Sequence, residues 1–387
     1  MSFNHTFVEL GSVCEVVRGG SPRPIIDYIT EEPDGVNWLK IGDVSETDKY
    51  FTHAKEKIKP SGIPKTREVK KGDLILSNSM SFGRAFITKI DGYIHDGWLR
   101  LRCDEDKLDK EFLYYFLISS FAQYQFKAIA NGSVVNNLKS DTVRAVRIPL
   151  LPLPLQAKIA SFLGSLDDKI ELNNWINENL EQQAQAIYAS MFLDNPADGW
   201  KRGTLSDIAE ITMGQSPSGN SYNEAGNGAV FFQGRAEFGF RFPAVRLYTT
   251  EPKRMARKND VLMSVRAPVG DLNVAHEDCC IGRGLGAIHS KDNHQSFILY
   301  TMFSLQKELN VFNGEGTIFG SINRDSLNGM PIVIPPMEKM DEFEAIVAPM
   351  DELILSNYDA NCRLAQIRDT LLPKLMSGEL DVSEVEL

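Results

Sequence analysis

Residues 7–22 read FVELGSVCEVVRGGSP, and residues 200–217 read WKRGTLSDIAEITMGQSP. In both, Leu10 and Leu205 open a short alternating apolar stretch that closes in a Gly-x-Ser-Pro turn, at Gly19–Pro22 and at Gly214–Pro217. The echo runs on through the chain. Lys71-Gly-Asp-Leu-Ile-Leu-Ser77 returns as Lys258-Asn-Asp-Val-Leu-Met-Ser264, Gly132-Ser-Val-Val returns as Gly316-Thr-Ile-Phe, and Leu166-Asp-Asp-Lys-Ile170 returns as Met350-Asp-Glu-Leu-Ile354. The offset between copies drifts from 195 through 187 to 184. Loops that change length between fixed elements produce such a drift. A period of roughly 190 residues is too long for a solenoid, whose unit is one supersecondary piece. The repeat predicts two similar domains, each followed by a similar connector.

The connectors carry a different signal. Leu163, Leu166, Ile170, Asn173, Asn177, Leu180, Ala184, Ile187 and Met191 fall at alternating steps of four and three. Val347, Met350, Ile354, Asn357, Asn361, Leu364, Arg368, Leu371 and Leu375 repeat the pattern, with both Asn positions in register. A stripe of this width sustained for about four heptads predicts a long helix packed on another helix, and Asn on such a seam fixes register and partner. Two matching seams predict an antiparallel intramolecular pair with pseudo-twofold symmetry. Ser165-x-x-Asp168 has the form of a capping box, and Pro349 stands at the matching place of the second copy, so a helix start or kink is expected there. The paired acids Asp167-Asp168 and Asp351-Glu352 would then complement a helix N-terminus.

The two larger units read as α+β. Short alternating runs such as Val69–Ile75, Ala85–Ile90 and Leu99–Arg102 lie between turn residues, and helical stretches follow at Lys110–Ala130 and Gln295–Asn310. Each unit closes on a β-like run and a proline cluster, Val146–Pro154 and Met330–Pro336. The boundaries expected are a domain at 1–150, a helical region at 151–199, a domain at 200–335 and a helical region at 336–387.

The net charge of −11 argues against nucleic-acid binding until the chain is divided. Residues 1–150 hold 21 basic against 20 acidic side chains, and residues 201–335 hold 14 against 13, each net +1. Residues 151–200 hold 2 against 7, net −5, and residues 336–387 hold 4 against 12, net −8. The acid lies in the connectors, which phosphate would repel, so these face protein or solvent. Cys14, Cys103, Cys279, Cys280 and Cys362 are scattered, odd in number and without a Cys-x-x-Cys pair. With no apolar run of about 18 residues and no signal-peptide pattern, the expectation is a reduced, cytoplasmic protein without a structural metal or disulfide frame.

Catalytic patterns are missing. There is no phosphate-binding Gly-x-x-x-x-Gly-Lys-[Ser/Thr], no His-Glu-x-x-His, no Gly-x-Ser-x-Gly and no Asn/Asp-Pro-Pro-aromatic motif of DNA amino-methyltransferases. The six histidines form no ligand-spaced cluster, and His95-Asp96 reads as an ordinary surface pair. No catalytic and no metal-binding residue is expected on this chain.

This organisation resembles the specificity (S) subunit of type I restriction–modification enzymes over nearly the whole chain. Leu10-Gly-Ser-Val…Gly19-Gly-Ser-Pro22 resembles the family's domain start, and Trp38-Leu-Lys-Ile-Gly-Asp-Val44 and Lys71–Ser77 resemble the strands that follow. Gly316–Leu327 with Met330-Pro-Ile-Val-Ile-Pro-Pro336 resembles its domain exit, and Leu371-Leu-Pro-Lys-Leu-Met-Ser-Gly-Glu-Leu380 its C-terminal helix end. The resemblance implies two target recognition domains joined by two long antiparallel, coiled-coil-like helices. Each domain would read one half of a split, asymmetric site in double-stranded DNA. The helices would set the spacer and dock two methylation subunits, which can recruit restriction subunits. S-adenosylmethionine and ATP would be bound by those partners, in a complex that is a DNA adenine methyltransferase and ATP-dependent endonuclease. The competing reading is a coiled-coil scaffold that holds two protein- or peptide-binding domains and does not bind DNA.

Base edges are read by Arg on guanine and by Asn or Gln on adenine, while phosphate contacts fix register. Three loops per domain carry suitable residues. In the first they hold Arg18, Ser21, Arg23, Lys40, Asn78 and Arg84; in the second, Gln215, Ser216, Gln233, Arg235 and Arg266. The Gly-Ser-Pro turns could present N–H groups and a hydroxyl to phosphate. Aligning the glycines of Ile41-Gly-Asp43 and Gln233-Gly-Arg235, and noting Asn259 in the place of Gly72, the loops of the two copies differ, so the two half-sites should differ.

Overall fold

The computed structural model describes residues 6–44, 49–79, 82–130, 137–194, 199–314 and 320–380. The repeated motifs at 132–135 and 316–319, and Met80 and Ser81 of one candidate loop, lie outside the described residues. Two compact units form: Met1–Leu172 with Ala360–Leu387, and Asn173–Asp359.

In the first unit Leu74-Ile-Leu-Ser77 is buried along its whole length. Strand geometry alternates its side chains: Leu74 and Leu76 enter one core, with the helices Lys110–Ile118 and Ser120–Ala130, while Ile75 enters a second core with Leu39, Val69 and Trp98. A strand covered on both faces must be apolar on both. Its sheet runs Cys14–Arg18, Trp98–Cys103, Leu74–Ser77, Ala85–Thr88, Tyr50–Phe51. Across the second core lies a mixed sheet of Ile29–Thr30, Glu56–Ile58, Val36–Leu39, Gly92–Ile94 and Arg67–Val69, in which Val36–Leu39 and Gly92–Ile94 are parallel. A ribbon of Thr6–Glu9 with Arg147–Leu150 closes the unit.

The second unit repeats this topology with one strand fewer among the described residues, lacking the counterpart of Tyr50–Phe51. Ala209–Met213, Leu285–Ser290, Val261–Ser264 and Leu272–Val274 form one sheet. Tyr222–Asn223, Leu247–Thr249, Ala229–Phe232, Cys279–Ile281 and Met255–Ala256 form the other, again with its central pair parallel. Val261 and Met263 face the helical core and Leu262 the inter-sheet core. Asn259, at φ 71°, takes the left-handed place of Gly72, at φ 92°. Both donate N–H to the neighbouring strand, to Ala275 O and Thr88 O. Asn tolerates this region, so the substitution preserves a turn and is no difference between DNA-facing loops, as the sequence suggested.

The two long helices are Leu153–Tyr188 and Met337–Ser377, about 54 and 62 Å at ~1.5 Å per residue. Every seam residue named above is buried or half-buried. In the second unit Asn177 accepts from Asn357 Nδ2 at 2.9 Å, while Tyr188 packs on Phe343 with ring centroids 5.6 Å apart. Numbers rise along one helix as they fall along the other, so the pair is antiparallel. In the first unit Ile159 and Leu163 share a core with Leu372, Leu375 and Met376.

The expected start near Ser165 and Pro349 is not observed. Both helices begin at the proline clusters, where Pro152 O accepts from Leu155 and Gln156 N–H and Pro336 O accepts from Lys339 and Met340 N–H. Proline just before or within the first turn gives up only an N–H that has no intrahelical partner. Ser165 lies in mid-helix, its hydroxyl donating to Phe162 O at 2.8 Å. Asp167 and Asp351 are therefore not at a helix N-terminus.

Candidate nucleic-acid interface

The site is built from a strand end. Beyond Cys14–Arg18, Gly19 N donates to Trp98 O at 2.9 Å and Gly20 N to Ile94 O at 3.2 Å. In the second unit Gly214 N donates to Leu285 O and Gln215 N to Ile281 O, each at 2.9 Å. A Cβ on Gly19 would overlap the carbonyl of His95, and one on Gly214 that of Gly282. Close backbone approach, not φ, requires glycine here. These four N–H groups are committed to the fold and anchor a loop.

The loop they anchor is Ile94–Gly97 in the first unit, and every proposed reading loop meets it. Ser21 Oγ donates to Asp96 Oδ1 at 2.7 Å, Arg23 Nη2 to Oδ2 at 3.3 Å, and Arg18 Nε to Asp96 O at 3.0 Å. Asn78 is 2% exposed, and its Nδ2 donates to Asp96 O at 2.9 Å. The His95 ring lies within hydrogen-bond distance of Ile41 N, at 3.2 Å, and of Gly97 N, at 2.7 Å; a neutral imidazole accepts from only one at a time. Burial lowers the His95 pKa below its ordinary value, against the pull of Asp96 and Asp43. Burial opposes ionisation of Asp96, but Ser21, His95 and Arg23 outweigh it and hold the carboxyl below its usual range. The dipeptide read as a plain surface pair is thus the centre of the site. Lys40 is paired with Glu56, and its N–H is capped by Asp43 Oδ2.

In the second unit the equivalent loop is Gly282-Arg283-Gly284. Ser216 Oγ accepts from Arg283 N at 3.3 Å, and Gly282 N donates to Phe232 O at 2.8 Å. Arg283 takes the place of Asp96, a charge reversal that sequence comparison passed over. Strand register also revises the alignment of the next loop: Trp38 and Leu39 face Tyr93 and Ile94 as Phe231 and Phe232 face Cys280 and Ile281. Gln233 therefore matches Lys40, one residue from the glycine-based alignment. Gln215, Gln233 and Arg266 are exposed, and Arg235 pairs with Asp271.

The third loop is one device used twice. Ser77 N donates to Arg84 O and Gly83 N to Ser77 O, while Ser264 N donates to Asp271 O and Gly270 N to Ser264 O. Ser77 Oγ accepts from Arg84 N, and Ser264 Oγ from Asp271 N, each at 2.9 Å. Arg84 and Asp271 thus occupy one position with opposite charge. Arg84 lies over the Phe86 ring at 5.2 Å, and its buried Nε and Nη2 have no partner among the described residues. Asn78 Oδ1 and Asp43 Oδ1 are also buried, and neither has a partner among the described residues.

Asp167 and Asp351 clamp each domain to its helix. Tyr115 Oη donates to Asp167 Oδ2 at 2.5 Å, Arg368 Nη1 to Asp167 Oδ1 at 2.7 Å, and Lys49 Nζ to Tyr115 Oη at 3.1 Å. In the second unit Tyr300 Oη donates to Asp351 Oδ1 at 2.9 Å, and Arg241 bonds Asp351, Glu181 and Tyr300. Lys49 and Arg241 are equivalent, since Ile87 N donates to Lys49 O and Val274 N to Arg241 O. Burial, then the Asp167 charge, pushes the Tyr115 phenol far up, so it stays a donor. Among the described residues no cluster of His, Cys, Asp and Glu could hold a metal ion, and no helix is long and apolar enough to cross a membrane.

A duplicated α+β domain on a paired-helix spine, with a loop cluster of constant backbone and changed side chains in each copy, defines a recognition protein. The chain belongs to the type I restriction modification DNA specificity domain family, which it matches twice, over residues 4–182 and 197–361. A provisionally named type I restriction enzyme MjaX specificity subunit of Methanocaldococcus jannaschii is 29% identical, over 97% of this chain and 93% of the relative. The type I restriction enzyme HindI specificity subunit of Haemophilus influenzae is 23% identical, over 89% and 94%. The solved type I restriction-modification S subunit from M. genitalium has the same fold, with a TM-score of 0.56 at 18% identity over 97% of each chain. The protein is a sequence-specific DNA-recognition subunit of a type I restriction–modification system and is not itself the catalyst.

Proposed function

We propose that residues 1–150 and 200–335 are the two target recognition domains, each reading one half of a split, asymmetric DNA site. Residues 151–199 and 336–387 set the spacer and dock two methylation subunits, with restriction subunits joining them. S-adenosylmethionine and ATP sit on those partners, and the complex is a cytoplasmic DNA adenine methyltransferase and ATP-dependent endonuclease. The observation that carries the reading is the loop cluster: the same hydrogen-bonded backbone in each unit, with Asp96 and Arg84 in one copy and Arg283 and Asp271 in the other. Arg18, Ser21, Arg23, Lys40 and Arg84 would contact the first half-site, with Asn78 holding their loop. Gln215, Ser216, Gln233, Arg235 and Arg266 would contact the second. Exposed Leu172 and Ile367 in the first unit, and Trp175 and Leu353 in the second, are apolar helix positions suited to a protein partner.

Methylome sequencing of cells with and without this gene tests the proposal. A two-part motif that vanishes with the gene is expected. Deleting one heptad from each long helix, about 10.5 Å, should shorten the spacer by about three base pairs of ~3.4 Å. An unchanged spacer would remove the ruler. A complex whose DNA affinity ignores salt would favour the scaffold reading, since phosphate binding releases counterions.

A further inference from the structure

We infer that Arg283 is the residue with which the second unit reads a guanine. The inference rests on the DNA-recognition function above and adds a residue to it. Arg283 is exposed, and its guanidinium has no hydrogen bond or ion pair among the described residues. Its backbone is held firmly. Arg283 N donates to Ser216 Oγ, Gly282 N to Phe232 O, and Gly284 N to Gln233 O at 3.3 Å. A Cβ on Gly282 would stand 2.9 Å from Gln233 Cα, and one on Gly284 2.9 Å from Gln233 O. Two glycines thus let the loop press against the Gln233 backbone, with Arg283 left as the one side chain projecting between them. A free planar fork on a preorganised backbone suits bidentate recognition of guanine O6 and N7.

Charge reversal between the copies separates base reading from phosphate binding. A phosphate contact serves any sequence, so both copies would need a cation there. The first copy instead has Asp96, held by Ser21 and Arg23. A position that keeps its backbone and inverts its charge distinguishes sequences. Exposed neighbours of the loop are the neutral amides Gln215 and Gln233 and the cations Arg254 and Arg266, whose segments bond to Ile281 N and Gly284 O, so the salt dependence of R283A separates a base contact from a phosphate contact. Asp271, the acid of the neighbouring loop, is already paired with Arg235.

The test uses the complex assembled with its methylation subunits, as wild type, R283A and R283K. Binding is measured on duplexes that carry each base at each position of both half-sites, at several salt concentrations. R283A should lose about 10- to 100-fold affinity for the preferred site and discriminate no longer at one guanine of one half-site, with the other half-site unchanged. R283K should retain part of the affinity and less of the discrimination, since it lacks the fork. Because Arg283 is exposed, the melting temperature should not move. Uniform loss on all sequences with a salt slope shallower by about one would overturn the inference in favour of a phosphate contact. An unchanged R283A profile would also overturn it. A wild-type complex without any base preference would overturn the DNA-reading function, and this assignment with it.

Discussion

The first unit's loop cluster is locked by side chains, and the second unit's by backbone. In the first, Asp96 gathers Ser21 and Arg23 on its carboxylate and Arg18 and Asn78 on its carbonyl, while His95 meets Ile41. In the second, Gly282 and Gly284 allow the same loop to close directly on Gln233, and Val265 replaces Asn78. The clamps on the helices differ the same way. Arg241 alone satisfies Glu181 and Asp351, where the first unit divides the work between Lys49 and Arg368. Two sites can share a scaffold and reach one backbone geometry by different side-chain chemistry. That frees the projecting residues to differ in charge.

The strongest way to break this comparison is at the clamp. Arg241→Met should cost about 3 kcal/mol, because it removes a buried cation and leaves the half-buried Glu181 and Asp351 facing each other without it. Denaturant unfolding followed by hydrogen exchange in each unit would read it, and the loss should be confined to the second unit. Next comes Arg84→Ala, which should weaken binding by about 1–3 kcal/mol on duplexes carrying the first half-site, with the second half-site unaffected. Equal loss on DNA altered at either half would dissolve the difference between Arg84 and Asp271. Lys49→Met should cost less than the Arg241 change, about 1 kcal/mol, since its partner Glu111 is 38% exposed and Arg368 still holds Asp167. If Lys49→Met proved as damaging as Arg241→Met, the clamps would be equivalent after all.

The smallest effect is a pH dependence. The folded His95 pKa lies below its ordinary 6.5, so burial favours the neutral ring. Its stability contribution is complete above the unfolded pKa and is lost as pH falls from about 6.5 toward the folded value. A protonated ring can no longer accept from Ile41 N or Gly97 N, so first-half-site affinity should fall as pH drops below about 6.5, and His95→Asn should flatten that fall. The second unit has Gly282 at this place and loses nothing from this group. A fall that survives His95→Asn would locate the titrating group elsewhere.

The legible features were those whose cause is local. A heptad stripe reports a helix pair through its spacing alone, and the seam residues from Leu163 to Met191 are buried or half-buried, as that spacing requires. Local patterns also misled where two competed. Ser165-x-x-Asp168 has the form of a cap, but Pro152 begins the helix earlier, and the acids are held by tyrosines more than fifty residues away in Tyr115–Asp167 and Tyr300–Asp351. The proposed reading loops were found from their residue types, but the loop that joins them was not. Its bonds span 75 residues from Ser21 to Asp96 and 67 from Ser216 to Arg283.

By itself the sequence determined the duplication, the alternation of strands, the helical spine and the lack of catalytic motifs, because periodicity and composition act between near neighbours. Tertiary structure alone decided that Gly19 and Gly214 must be glycine, that Asp167 and Asp351 are clamps, and that Asp96 and Arg283 stand at one place. Those facts depend on close approaches between strands distant in the chain, and no local pattern carries the distance at which two backbones pass.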